Sequence, residues 1–130
     1  MFHIDTSDPT PVEDQLVRTI RSAVGAGLLD AGQALPTVRG LAVQLRVDAN
    51  AVSRAYDTLV RQGVLATRPG VGTVVRASAE DIRREELYDE LAALEDTFLR
   101  EASTLGFSFD EVIIHLYSRR EQKEKANAAQ

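Results

Sequence analysis

Residues 68–72, Arg-Pro-Gly-Val-Gly, combine a cation with two glycines, a composition that can contact phosphate. A nucleotide-binding loop is one interpretation, but its dinucleotide form needs a following helix and its Walker form needs Gly-Lys-Ser/Thr. Here a β-branched run, Thr73–Val75, follows the glycines, and the first lysine is Lys123. We therefore expect a β-hairpin whose turn contacts the minor groove of DNA or its flanking phosphates. The turn residues assigned to this contact are Arg68, Gly70, Val71 and Gly72.

Small and polar side chains occupy the first turns of a helix predicted from Asp48, its cap, to about Gln62. Such a helix N-terminus can enter the major groove, where asparagine pairs with adenine and small groups permit close approach. An alternative role for Asn50 is capping or solvent contact. Tyr56 is expected in the core rather than stacked on a base. The residues expected to face the bases are Ala49, Asn50, Ser53 and Arg54.

Thr37 is the predicted cap of a shorter helix just before this one, and Arg39 lies in its first turn. We expect both to position the protein on the DNA backbone. Arg39 and Arg54 are suited to phosphate or to guanine. The alternative for these arginines is surface ion pairing, for example between Arg54 and Asp57 or Asp48.

The elements that must position these residues follow from apolar spacing. A first helix is predicted from a capping box at residues 10–13 to a stop at Gly27, with an apolar residue at every fourth position. Two further helices, separated by about three residues, form a helix-turn-helix. Strands at 64–67 and 73–75 then form a hairpin. This order predicts a winged helix-turn-helix.

Residues 80–105 predict a long helix with a nearly heptad apolar seam, followed by a second helix that starts at a capping box at 108–111 and frays beyond Arg119. Two helices alone bury little surface, so we expect them to pair with a second copy of the chain. The alternative is that the seam packs back on the helix-turn-helix. The residues assigned to the dimer interface are Leu87, Leu91, Leu94, Phe98, Leu105, Val112 and Leu116.

The charge is unevenly distributed along the 130 residues. The net charge is −5, but residues 1–77 carry +1 and residues 78–130 carry −6. Residues 39–76 contain six arginines and only two acidic residues, Asp48 and Asp57. The local charge is therefore +4, which can attract phosphate. The alternative is a solvated surface that happens to use arginine. We predict a winged-helix domain at 1–77 and a helical dimerisation region at 78–130, a mostly α fold with a small β-hairpin.

Several classes of function find no support in the sequence. The chain has no cysteine, its two histidines are far apart, and no catalytic set or metal-ligand cluster stands out. We expect no enzyme activity, no metal and no cofactor. The chain also shows no signal peptide and no apolar run long enough for a membrane span, so we expect a cytoplasmic location and no membrane partner.

Five segments of the first 77 residues carry a family resemblance: 11–16, 35–42, 50–56, 63–65 and 68–73. They resemble the GntR family of bacterial transcription factors, and the short two-helix tail is similar to that of its YtrA subfamily. The resemblance implies a repressor that binds an inverted-repeat operator in double-stranded DNA as a homodimer. It also implies that Arg39 contacts DNA, and it leaves open a small-molecule effector at the dimer interface. Ala49 and Ala51 depart from the proline and threonine common in relatives.

Two rival functions make different predictions. A winged helix used only to bind another protein would bind DNA weakly and without sequence preference. A small-molecule sensor or enzyme that used the glycine turn would be stabilised by a nucleotide and indifferent to the change Arg39→Ala.

Overall fold

Within residues 2–129, which the computed structural model describes, five helices and one antiparallel hairpin confirm the mostly helical winged-helix prediction. The chain forms two compact units, Met1–Glu86 and Leu87–Gln130. The elements in chain order are α1 Val12–Gly25, α2 Val38–Leu45, α3 Ala49–Arg61, β1 Leu65–Arg68, β2 Gly72–Val75, α4 Ala79–Thr104 and α5 Phe109–Ala128.

The core of the first unit is built around α3, which packs against α1, α2 and β1. The four-residue spacing in α1 places Leu16, Ile20 and Val24 on one fully buried face, as the sequence predicts. From α3, Val52 and Leu59 enter the same core. The buried face of α3 is thereby fixed, and its opposite face is left for solvent or a partner.

The start of α1 differs from the predicted capping box. The helix begins at Val12 with Pro11 as its N-cap, and no side chain caps it. The carbonyl of Thr10 instead accepts a hydrogen bond from Nε2 of buried Gln15 at 2.8 Å. Gln15 also bonds both backbone groups of Asp5, at 3.0 and 3.1 Å, and so holds the N-terminal segment on the helix. The predicted capping box is therefore wrong.

The hairpin is slightly longer than predicted. Its register pairs Leu65 with Val75 and Arg68 with Gly72. Residues 32–35 run along the outer edge of β2, where Leu35 N–H donates to the Thr73 carbonyl at 2.9 Å and Val75 N–H donates to the Gln33 carbonyl at 2.8 Å. The hairpin is thereby attached to the segment that leads into α2.

The first turns of α4 belong to the winged-helix unit. At the start of α4, Ser78 N–H donates to Asp81 Oδ2 and Asp81 N–H donates to Ser78 Oγ. Hydrogen bonds from the Ser78 backbone and side chain lower the pKa of the Asp81 carboxyl. Ile82 is buried against α1, where a Cβ on Gly25 would lie 3.0 Å from its Cγ2 atom. Arg21 pairs with Glu85 one turn later. These contacts fasten the beginning of α4 to α1.

The second unit contains the rest of α4 and all of α5. Gly106 follows α4 with a φ of +94°. The second predicted capping box, at 108–111, is confirmed. Glu111 N–H donates to Ser108 Oγ at 3.2 Å, and Ser108 N–H donates to Glu111 Oε1 at 3.3 Å. The expected fraying beyond Arg119 is wrong, since α5 continues to Ala128. Its last turns are rich in good helix formers, which sustain the helix without a buried face.

Candidate nucleic-acid interface

The turn between α2 and α3 has the geometry of a helix-turn-helix. Thr37 caps α2 by accepting a hydrogen bond from Gly40 N–H at 3.0 Å. Arg46 ends this helix in the left-handed region, with a φ of +57°, which turns the chain sharply. Asp48 then caps α3 by accepting from Asn50 N–H at 2.9 Å. Both predicted caps are confirmed, and three residues separate the helices.

Tyr56 lies on the buried side of α3, as predicted, with 4% of its surface exposed. Its hydroxyl donates to the Pro36 carbonyl at 2.8 Å, and burial raises its pKa to about 12. A neutral phenol is therefore the form present at physiological pH. This hydrogen bond ties the start of α2 to the middle of α3 and fixes one helix against the other.

The outward face of α3 presents the predicted base-facing residues. Ala49, Asn50 and Arg54 are exposed, and Ser53 is half-buried. Ala51 is buried, so its side chain is not available to a base. The exposed side chains near the helix start are short, which leaves room for close approach to a base edge.

Arg54 makes a surface ion pair, the alternative given for it above, but with a partner that was not predicted. Its Nε donates to Oε2 of Glu13, on α1, at 2.9 Å. The alternative partners named from the sequence, Asp57 and Asp48, are wrong. No local pattern could have indicated Glu13, because the two residues are 41 positions apart and meet only through the packing of α1 on α3.

Of the six arginines within residues 39–76, four are exposed and make neither an ion pair nor a side-chain hydrogen bond with any residue in the 2–129 range, since Arg54 pairs with Glu13 and Arg61 bonds Thr58. A guanidinium without a carboxylate partner can bind a phosphate without first breaking a protein contact. The structure therefore leaves the predicted cationic patch available to an anion. These residues are Arg39, Arg46, Arg68 and Arg76.

The hairpin turn is formed by Pro69 and Gly70. Val71 N–H donates to the Arg68 carbonyl at 3.1 Å, and Gly70 has a φ of +78°. A proline followed by a glycine with positive φ is the pattern of a type II turn. Gly72 also has positive φ, at +104°. The turn is exposed throughout, and Val71 presents an apolar side chain at its tip beside the Arg68 cation.

The residues assigned to a dimer interface lie in the second unit, and most of them are on its surface. The exposed ones, Leu87, Leu91, Leu94, Phe98, Leu105 and Leu116, are called the α4–α5 apolar face below. Six of the seven are exposed; Phe98 is 50% and Leu105 is 76% exposed. Val112 is 8% exposed and is already buried within its own unit, so it is not part of the α4–α5 apolar face. Phe109 and Ile114 of α5 are exposed as well but were not assigned to the interface from the sequence.

Two further features bear on other functions. Among residues 2–129, no group of three or more histidines and carboxylates could hold a metal ion. None of the helices in that range is long and apolar enough to cross a membrane.

Comparison with known proteins gives a consistent family. The sequence model of the family "Bacterial regulatory proteins, gntR family" matches residues 12–75. The transcriptional repressor YtrA of Bacillus subtilis strain 168 is 34% identical over 80 residues, which cover 62% of this chain and 62% of that repressor. The chain thus spans about three fifths of that relative, and it spans only 16% of a longer regulator.

Solved structures agree with this comparison. YtrA from Sulfolobus acidocaldarius, a GntR-family transcription factor, is similar at a TM-score of 0.54 and 31% identity, covering 68% of this chain and 95% of that one. The DNA-binding domain of AraR, in complex with operator ORX1, is similar at a TM-score of 0.50 and 28% identity, covering 58% of this chain and 99% of that one. The chain therefore belongs to the GntR family of DNA-binding transcriptional regulators and is of the YtrA type.

Proposed function

We propose that this protein is a repressor that binds an inverted-repeat operator as a homodimer. The observation that carries the proposal is the outward face of α3, where short side chains are exposed at the helix start, in a unit whose exposed Arg39, Arg46, Arg68 and Arg76 form no ion pair within residues 2–129. Asn50 would read adenine, and Ala49 and Ser53 would permit close approach in the major groove. The similar AraR domain is itself bound to an operator.

Groups that contact the DNA backbone rather than the bases would position the protein on the duplex. Arg39, on the first turn of α2, would bind a backbone phosphate, with Thr37 beside it at the helix cap. The hairpin turn would enter the minor groove or contact its edge, with Arg68 on the phosphates and Gly70 allowing close approach of the backbone. Contacts in two grooves would fix the register of α3.

The homodimer is supported by the α4–α5 apolar face. Several large apolar side chains exposed on two neighbouring helices are a feature of interaction sites. A second copy is the occupant we propose, since two-fold symmetry would present two recognition helices to two half-sites. A groove of about 760 Å³ in this unit is lined by Phe98, Leu105 and Leu116 of the same face. A small effector that entered the groove would act on the same contact.

The proposed action is repression of transcription, in the cytoplasm, where the bacterial chromosome lies. The similar Bacillus protein is named a repressor. A dimer held on an inverted repeat near a promoter would obstruct polymerase, and control of its own operon is the simplest arrangement. This role needs no chemistry at the site, and we propose no enzyme activity.

The test is a fluorescence anisotropy titration of the DNA upstream of the protein's own gene against a shuffled duplex, at several salt concentrations. We expect tighter binding to the native fragment by about 10³-fold at moderate salt. Footprinting would then locate the repeat. Equal and steeply salt-dependent binding to both duplexes would contradict the proposal and favour a winged helix whose partner is a protein.

A further inference from the structure

We infer that Glu13 is a specificity-determining residue that positions Arg54 to read a guanine. The inference rests on the proposed function, and it concerns a residue on α1 that lies outside the helix-turn-helix. Its starting point is the hydrogen bond from Arg54 Nε to Glu13 Oε2, at 2.9 Å.

The contact leaves a defined part of the guanidinium open. Arg54 has no other bond to residues 2–129, so both terminal amino groups lack a protein partner. The side chain of Arg54 is 59% exposed, whereas that of Glu13 is 31% exposed. The carboxylate thus holds the arginine by its inner nitrogen and leaves the outer edge facing away from it.

That outer edge is the one that recognises guanine. Two parallel N–H groups of an arginine match the N7 and O6 acceptors of guanine in the major groove. A guanidinium is planar and rigid, so fixing Nε also fixes the plane in which the other two nitrogens lie. Arg54 lies one turn after Asn50 on the exposed face of α3, within reach of a base if the start of α3 enters the groove.

The Glu13 carboxylate also weakens binding to DNA of other sequences. A negative charge beside the recognition helix repels phosphates, and this cost is offset only where the fixed arginine meets its base. Specificity is a difference of affinities, so one residue can raise it by favouring the correct site and by penalising the others. A phosphate-binding arginine would gain nothing from this arrangement, because a nearby acid would weaken it on every sequence.

The alternative is that Glu13 merely stabilises the start of α1, where an acid interacts favourably with the helix dipole. Asp14 provides the matched comparison. It lies in the same first turn, is exposed, and forms no ion pair in the described part of the chain. The changes Glu13→Gln and Asp14→Asn remove the same charge from neighbouring positions, but only the first acts on the contact with Arg54, where it replaces a charge-assisted hydrogen bond by a weaker neutral one.

The experiment measures dissociation constants of the full-length protein on three duplexes at one salt concentration. These are the strongest site selected from a random pool, a shuffled copy of it, and the site with its guanines replaced by 7-deazaguanine, which lacks the N7 acceptor. We expect Glu13→Gln to weaken binding to the selected site by about 10-fold. Binding to the shuffled duplex should stay equal or become tighter, so the ratio of the two falls by 10-fold or more.

Further variants and controls complete the design. Asp14→Asn should leave the ratio unchanged. The wild-type protein should lose affinity on 7-deazaguanine DNA, whereas Arg54→Ala should be insensitive to that replacement. Glu13→Asp, one methylene shorter, supplies a second variant that keeps the charge and should lower the ratio too. Unfolding curves would verify that each variant is folded, as the small contribution of exposed ion pairs leads us to expect.

The outcomes separate the two hypotheses. If the wild type fails to distinguish the selected site from the shuffled duplex, the proposed function is wrong and this inference falls with it. If the wild type discriminates but Glu13→Gln keeps the full ratio, the regulator stands and the role of Glu13 is overturned. Equal losses for Glu13→Gln and Asp14→Asn would also overturn it, in favour of a helix-dipole effect.

Discussion

Gly40 is the residue that makes room for the cap of α2. A Cβ at this position would lie 2.9 Å from Oγ1 of Thr37, closer than such atoms approach in folded proteins. That oxygen accepts the Gly40 N–H and cannot move without losing the bond. The glycine therefore serves the cap rather than backbone freedom, since it lies in a regular helix.

A double-mutant cycle tests this relation. Alanine normally stabilises a helix by about 1 kcal/mol over glycine, and loss of a cap costs about 1 kcal/mol. We expect Gly40→Ala to give no gain in the free energy of unfolding in the wild type, but a gain of about 1 kcal/mol when Thr37 is already alanine. Urea denaturation of the four proteins measures the coupling. Additive effects would show that the cap tolerates a Cβ.

Tyr56 makes stability depend on alkaline pH. Burial raises its pKa to about 12 in the folded state, above the value of about 10 expected for an unfolded chain. The folded protein therefore keeps a proton that the unfolded chain loses, and this contribution is complete below pH 10 and is lost as the pH rises towards 12. The loss expected is on the order of 2 kcal/mol.

The measurement is the free energy of unfolding of the wild type and of Tyr56→Phe from pH 8 to 12. Phenylalanine leaves the Pro36 carbonyl without its donor, so the variant should be less stable at neutral pH by about 1 kcal/mol. The advantage of the wild type should shrink as the pH passes 10 and should reverse towards pH 12, because the expected loss, on the order of 2 kcal/mol, exceeds the initial difference. A difference that stays constant to pH 12 would contradict the raised pKa.

At the residue scale, the caps at Thr37, Asp48 and Ser108 were predictable because a cap is a bond between residues two or three positions apart. The contact between Glu13 and Arg54 was not, because it depends on how α1 lies against α3. The start of α1 was mispredicted for a related reason: Gln15 binds the carbonyl of Thr10 from within the fold.

Among the elements, the hairpin most clearly combines local and distant causes. Its turn was predictable from Pro69 and Gly70, whose backbone preferences suit a type II turn. The strand-like segment at 32–35 was not, since it is short and shows no alternation; its structure comes from bonds to β2. Helix α5 continues beyond Arg119, where fraying was expected, because its polar residues favour helix even without burial.

The hairpin also carries an element-scale prediction. Arg68 is exposed at the end of β1 and forms no ion pair within the described range, so it is free to bind a phosphate. Arg68→Ala should weaken binding to native and shuffled DNA alike, and it should reduce the slope of log K against log salt by about one. Titrations at four or more salt concentrations give this slope.

The matched control is Arg100→Ala, which removes the same charge from the second unit and should leave the slope unchanged. A loss confined to the native duplex would show that Arg68 reads bases, contrary to the role proposed for the hairpin.

At the scale of the whole molecule, the cationic patch and most of the exposed apolar residues lie in different units. Residues 39–76, which lie inside the winged-helix unit, carry +4, whereas residues 78–130 carry −6. Most of the exposed large hydrophobic residues lie in the other unit. An acidic overall charge is therefore compatible with DNA binding, because phosphate responds to the local field rather than to the sum.

The homodimer is the property that most needs a test at this scale, and Phe98 is the residue to change. It is half exposed on the α4–α5 apolar face, so a charge there should oppose burial against a second copy. We expect Phe98→Asp to be monomeric in sedimentation analysis and to bind the inverted repeat on the order of 100-fold more weakly, because the two half-sites are no longer linked. Binding to a single half-site should be unaffected.

Thr97→Asp places the same charge one residue away, outside the apolar set, and should remain dimeric with full affinity for the repeat. The winged-helix unit should keep its stability in both variants, since neither residue belongs to its core. If Phe98→Asp sediments as the wild type does and binds the repeat as tightly, the interface lies elsewhere. If it is monomeric yet binds the repeat with full affinity, recognition does not depend on the dimer, and the inverted-repeat operator is the part of the proposal that fails.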